Sequence, residues 1–319
     1  MELDEYKEQV AIYNKINNSF KSKLIFHVGF DSGFYSEVDC MMECMLYCYL
    51  NKIKFVLYAD DANFAGGHGW NEFFDSFCPE NHHWLNAKVN RRTVGGKFPG
   101  YKFYILVALL KLRTFTKYLT QDLFLKVISD ENRNTHVVWE EFNINGKIAN
   151  EFAKLAPMVL HYNEKTLKEI ADKISEAGLP EHYHSIQFRG GDKGTEFVNL
   201  MDMDAVIDKM EQKNINIENL FVFSDDYRAV ERIMKRRPDW NIYTLTGKEE
   251  RGYYNADFQK SDWDEKRRNM IKLFAMVEIC INSDLHLGCE QTNANTYIKN
   301  VKPAGKYCPI WEDMAEQEY

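Results

Sequence analysis

An α/β protein of two doubly wound domains, each a parallel sheet wrapped by helices, is what the sequence predicts, on three observations. Strand-like and helix-like segments alternate along most of the chain. Its 319 residues suit two ordinary domains and overfill a single core. The alternation restarts after an interruption near residue 160, which divides an expected domain of residues 1–160 from a second of 161–300.

In the first block, Lys23–Phe30 (KLIFHVGF) is a short apolar run ending in glycine, the pattern of a buried strand. After the loop DSGFYSE, Cys40, Cys44 and Cys48 recur every four residues beside Met41, Met45 and Tyr49, which predicts a helix with a wide apolar face. Lys54–Asp61 (KFVLYADD) is the next strand and completes one βαβ unit. The Gly- and aromatic-rich stretch from Ala62 to Trp84 reads as a loop with a short helix, and Phe103–Ile128 as one strong helix with basic residues toward its end.

In the second block a helix from Glu164 stops at Gly178 with Pro180 just beyond, a clear stop signal. HSIQF is a strand, RGGDKGTE a glycine-rich turn and MDAVIDKMEQK a helix. NLFVFSDD and NIYTL are further strands around the helix YRAVERIMKRRPDW, which halts before Pro238. The helix DEKRRNMIKLFAMVEICIN and a last strand and helix in LHLGCEQTNANTYIKN complete the pattern.

Composition narrows the function. A net charge of −8 argues against gripping a nucleic-acid backbone. No stretch approaches the roughly 20 apolar residues of a membrane span. The N-terminal MELDEYKEQVAIYNK is too polar for a signal peptide, and seven cysteines, an odd number, suit a reducing compartment. A cytoplasmic protein is the expectation.

The densest chemical signal is the run from His184 to Glu196, HSIQFRGGDKGTE, which sets Arg189, Lys193, Asp192 and Glu196 on a glycine-rich turn after a strand. Ligands of open α/β sheets bind at that edge. Gly190, Gly191 and Gly194 let backbone N–H groups approach an anion, Arg189 offers a two-pronged grip on a phosphate, and Lys193 adds a compact charge. The other reading is a solvated turn whose charges pair with each other. Asp225-Asp226 ends a strand at the same edge, either facing a ligand or capping the next helix.

This run resembles the first peptide motif of the α1,6-fucosyltransferases, His-Val-Arg-Arg-Thr-Asp-Lys-Val-Gly-Thr-Glu, shortened by one residue before Gly194. LFVFSDDYRAVERIMKRRPDWNIYTL is similar to the family's second block and, more loosely, MVEICINSDLHLGCEQTNANTYI to its third. Upstream, GFDSGFYSEVDCMMECMLYCYLNK and GGHGWNEFF resemble its first glycine-rich loop and Gly-Gly-Trp segment. The wider group includes nodulation and protein O-fucosyltransferases. The resemblance implies a GT-B architecture, two Rossmann-like domains facing across a cleft, with the acceptor side in 1–160, the nucleotide sugar in 161–300, and residues 301–319 packing back on the first domain. It implies an inverting, metal-independent transfer from GDP-fucose to a carbohydrate acceptor with no cofactor. Arg189 would clamp the β-phosphate, Glu196 would act as base, and Lys193 would stand beside it as partner, unless these two are a structural ion pair. Gly190, Gly191, Asp192, Asp225 and Asp226 would line the donor site, Thr292 and Asn293 would face the pyrophosphate, and Asp31 and Trp70 the acceptor. Glu278 is the candidate carboxylate for guanine, with Asp284 competing.

Two departures stand out: the family's second arginine is Gly190 here, and the histidine before the first is Gln187. They keep open another GDP- or UDP-sugar as donor, or a non-catalytic carbohydrate-binding relative. Asp202-Met203-Asp204 spells the metal-binding pattern of GT-A transferases but precedes a helix, where Asp is a favoured cap. His82-His83 and His182/His184 lack companions at metal spacing, the cysteine stripe reads as helix packing, and Lys235-Arg236-Arg237 as a solvated helix end.

Overall fold

The structure, a computed structural model, describes residues 3–30, 32–92, 100–191, 203–213, 215–288 and 292–310. The chain divides into two compact units, Met1–Glu164 and Lys165–Tyr319.

In the first unit β1 (Ser22–His27) pairs in parallel with β2 (Ile53–Tyr58), as the βαβ reading requires. Helix α1 (Leu3–Ser19) precedes them, and its Asn17 takes the place of a strand partner. The side chain donates to the Phe55 carbonyl at 2.8 Å and accepts from the Phe55 N–H at 2.7 Å. Helix α2 (Phe34–Leu50) joins the two strands and buries Met41, Met42, Cys44, Met45 and Cys48; Cys40 is half-buried and all three thiols are free. The cysteine stripe is helix packing.

Phe103–Ile128 is not one helix. Helix α3 (Tyr101–Thr114) ends at Phe115 in the left-handed conformation (φ 50°), Tyr118–Leu119 form β3 parallel to β1, and helix α4 spans Thr120–Val127. No Gly or Pro marks the break. It comes from tertiary pairing: β3 lies against Leu24 and Ile25, and Thr116 Oγ1 donates to the Lys23 carbonyl at 2.9 Å. The sheet order is therefore β2-β1-β3. A hairpin of β4 (His136–Trp139) and β5 (Ile144–Lys147) adds an antiparallel pair, with Trp139 stacked on Tyr49 at 4.0 Å.

The second unit opens with α5 (Glu164–Glu176) and holds a five-stranded parallel sheet in the order β10-β9-β6-β7-β8. The chain starts in the middle with β6 (His184–Phe188) and moves outward through α6 (Met203–Gln212), β7 (Asn219–Ser224), α7 (Tyr227–Arg236) and β8 (Asn241–Tyr243). Helix α8 (Trp263–Asn282) then returns it to the other side of β6 for β9 (Leu285–Gly288), α9 (Asn293–Val301) and β10 (Tyr307–Pro309). Ile186, Val206, Ile207, Leu220, Val222, Val230 and Leu287 form the core between sheet and helices. Residues 301–310 run from the end of α9 into β10 within the second unit. Through β10 they cover the outer edge of β9, which would otherwise present unpaired backbone groups. Residues 311–319 lie outside the described residues.

Candidate functional site

Because β7 and β8 lie on one side of β6 while β9 and β10 lie on the other, the connections leaving β6 and β9 diverge. Such a switch point opens a crevice at the carboxyl ends of the strands, and ligands of doubly wound sheets bind there. β6 delivers Arg189, Gly190 and Gly191 to it, and β9 leads to the amino end of α9.

The Arg189 turn is built by close backbone contact. Gly191 has φ +61° and Gly252 φ +114°, and a Cβ on either would overlap the other segment's backbone, at Tyr253 and Gly191 respectively. Only glycine fits this crossing. Asp225, at the end of β7, ties the pieces together. Its Oδ1 accepts the Gly190 N–H at 2.7 Å, its Oδ2 accepts the Tyr253 N–H at 2.9 Å and pairs with Arg189 Nη1, and its carbonyl accepts the Gly252 N–H at 2.8 Å. The Arg189 guanidinium lies 4.7 Å from the centroid of the Tyr253 ring, within cation–π range. One carboxylate thus orients the arginine, its turn and the facing loop.

The adjacent Asp226 does different work. It is the N-cap of α7, accepts the Arg228 N–H at 2.9 Å and meets Arg228 Nε at 3.0 Å. Burial alone would raise its carboxyl, but the Arg228 hydrogen bonds and charge outweigh that and hold it below the ordinary carboxylate value. Of the two readings open for the pair, capping belongs to Asp226, while Asp225 positions Arg189.

Beside this turn, Thr292 caps α9: its hydroxyl accepts the Asn295 N–H at 3.3 Å and donates to Gln187 Oε1 at 2.7 Å. Asn293, in the first turn, is exposed. Beneath them His286 is fully buried between Ser185 Oγ and Asn295 Oδ1, each at 2.8 Å. Burial pushes the imidazole down to about 3, so it is neutral, with Nε2 donating to Asn295 and Nδ1 accepting from Ser185. Asn295 also donates to Tyr307 Oη at 2.9 Å. Strands β6, β9 and β10 and helix α9 are thereby locked by one polar chain.

Several expected site residues stand elsewhere. Glu278 is in the final turns of α8, next to Ile279, whose carbonyl accepts from Tyr183 Oη at 3.0 Å; Asp284 pairs with His182 at 3.3 Å. A crossover helix runs against its strands, so both carboxylates lie at the amino edge of the sheet, opposite Arg189. Trp70 does not face an acceptor. It is wholly buried and stacked on Phe74 at 4.6 Å, next to Gly69 (φ +59°), which lies close on the Ala59 backbone. Asp31, Asp192, Lys193 and Glu196 lie outside the described residues.

Tyr253 and Gly252 belong to a segment that resembles none of the family's blocks. Glu37 and Arg92 of the first unit likewise carry no site role in the resemblance. Glu37, wholly buried, accepts the Gly29 N–H at 2.8 Å and the Ser32 N–H at 3.1 Å and pairs with Arg92, anchoring the loop that leaves β1. A glutamate on an apolar helix face, Phe-Tyr-Ser-Glu-Val, was the available signal.

The discounted signals have ordinary partners. Asp204 meets Arg232 Nε at 2.9 Å, His82 meets Asp60 at 2.8 Å, and Arg237 covers the Trp240 ring at 4.1 Å. Arg236 pairs with Asp208, so the basic helix end is an ion-pair cluster against α6 and not merely solvated. Among the described residues no three His, Cys, Asp or Glu side chains group to hold a metal, and no helix is long and apolar enough to cross a membrane.

No family model and no curated protein matches this sequence. Solved structures do. Fucosyltransferase NodZ from Bradyrhizobium aligns with a TM-score of 0.52 at 9% identity, over 89% of this chain and 94% of that one. NodZ α-1,6-fucosyltransferase co-crystallized with GDP aligns at 0.50 and 9% identity, over 89% and 93%. The same enzyme soaked with GDP-fucose gives 0.50 and 9%, over 89% and 94%. The fold is that of NodZ. The likeness to the fucosyltransferase group that the motifs suggested therefore extends over most of the chain, and the α/β, GT-B-like fold class stands.

Proposed function

We propose that this protein is a glycosyltransferase that moves fucose from GDP-fucose to a glycan hydroxyl, by inversion and without a metal. One observation carries the reading: Arg189 is preset by Asp225 and Tyr253 at the switch point between β6 and β9, beside the amino end of α9. A fixed guanidinium and the amino end of a helix are two anion-binding devices at one crevice. That suits a diphosphate, and NodZ, with the same fold, was co-crystallized with GDP.

Departure of GDP builds negative charge on the β-phosphate, so a guanidinium held in place beforehand stabilises the transition state more than the ground state. Thr292 caps the helix whose first N–H groups, with Asn293, face the pyrophosphate. The acceptor hydroxyl attacks an oxocarbenium-like sugar from the opposite face and needs a base there, the role assigned to Glu196 with Lys193 beside it. Guanine recognition falls to groups at the carboxyl edge, where neither Glu278 nor Asp284 stands. Residues 161–300 would carry the donor and 1–160 the acceptor.

Calorimetric titration with GDP, UDP, ADP and CMP, with and without EDTA, tests this on the wild type and on Arg189→Ala. GDP preference that survives EDTA and is lost in Arg189→Ala is the expected result, with turnover reduced roughly 100- to 1,000-fold. Preference for UDP, which Gln187 and Gly190 in place of the family's His and Arg leave open, would move the protein to another donor. Metal dependence would overturn the mechanism. Glu196→Gln should abolish transfer and spare GDP binding, whereas a non-catalytic relative has no transfer to lose.

A further inference from the structure

Helix α3 is apolar around most of its circumference, yet the fold uses only one side. Phe103, Leu106, Val107 and Leu110 pack with Ile25, Val56 and Leu119 of the sheet. At about 100° per residue, the opposite arc of roughly 140° holds Tyr101, Tyr104, Ile105, Ala108, Leu109 and Leu112. All six are exposed, Tyr101 by 72% and Leu112 by 68%, and Phe115, just past the helix end, by 86%. Isolated exposed leucines are ordinary, but a contiguous apolar face marks an interaction surface.

Basic side chains border both margins of the arc. Lys102 and Arg113 border one margin of the arc, and Lys111, paired with Asp122 at 2.7 Å, borders the other. Between Glu80 and Asp122 the sequence has no Asp or Glu and eight Lys or Arg, in a chain whose net charge is −8. A second copy docked on this face about a two-fold axis would bring the basic margins together with no acid from the segment to neutralise them. A nucleic acid would satisfy the margins and leave the apolar arc in water. An anionic membrane satisfies both: leucine, isoleucine and aromatic side chains enter the headgroup–acyl boundary by about 5–10 Å while Lys and Arg meet the lipid charge.

We infer that the outer face of α3 docks this protein on the surface of an anionic membrane, with the helix lying in the interface plane. The inference is independent of the donor assignment. Flotation with vesicles of phosphatidylcholine, with or without phosphatidylserine, tests it on the whole chain. Binding is expected only with phosphatidylserine present, weakened by about tenfold or more at high salt. Ile105→Glu/Leu112→Glu should abolish binding and Lys102→Glu/Arg113→Glu should remove the preference for the anionic lipid, each with an unchanged thermal unfolding temperature, since these side chains point away from the core. Failure of the wild type to float with phosphatidylserine overturns the proposal. So does a concentration-dependent dimer in sedimentation that Ile105→Glu/Leu112→Glu disperses, which would give the face to a second copy.

Discussion

Asp225 shows how much one side chain organises when its hydrogen bonds cross between segments. It accepts from Gly190 and Tyr253 and pairs with Arg189, so the guanidinium points where it does because a carboxylate 36 residues away holds it. Asp225→Asn keeps the shape and removes the charge. GDP affinity should fall by about tenfold or more, the worth of one charge-assisted hydrogen bond. In calorimetry the double variant with Arg189→Ala should bind no more weakly than Arg189→Ala alone, since the two residues act as a unit. Additive losses would mean that Asp225 does not work through Arg189.

At the scale of elements, the His286 chain is what fastens β6, β9, β10 and α9 to one another. A buried neutral imidazole with its value lowered to about 3, against about 6.5 when unfolded, makes that fastening sensitive to acid. Between those values the unfolded chain binds a proton that the folded chain refuses. Stability should therefore be complete above about pH 6.5 and fall by about 1.4 kcal/mol per pH unit below it, toward pH 3. Urea unfolding from pH 7 to pH 4 checks the slope, and His286→Gln should flatten it while lowering stability at pH 7. An unchanged slope would assign acid sensitivity to other groups. The α3–β3–α4 break is a second element-scale lesson: a helical sequence yields to a strand where the edge of β1 offers a partner.

For the molecule as a whole, two units with separate cores predict that ligand protection is local. GDP bound at the β6–β9 crevice should raise the stability of the unit that carries it by about 2.7 kcal/mol at a hundredfold excess over Kd. Hydrogen exchange should then slow in β6, β7 and β9, with β1 and β2 little affected. Equal protection in both sheets would mean that the units open together, and protection confined to β1 and β2 would place the nucleotide in the other unit.

What the sequence determined by itself is local. Apolar periodicity placed β1, α2, β2 and the strands and helices of the second unit. A strand running into Arg-Gly-Gly put Arg189 at the carboxyl end of β6, since spacing within a few residues fixes which side chains share a face. Tertiary structure alone decided which distant groups meet. It supplied Asp225 and Tyr253 to Arg189 and split the Asp225-Asp226 pair between orienting and capping. It turned Trp70 into the core and left Glu278 and Asp284 at the far edge, where similarity to a motif had suggested a base contact. The physical reason is that strand order and helix direction set long-range neighbours, and one chain's residue pattern carries little record of either.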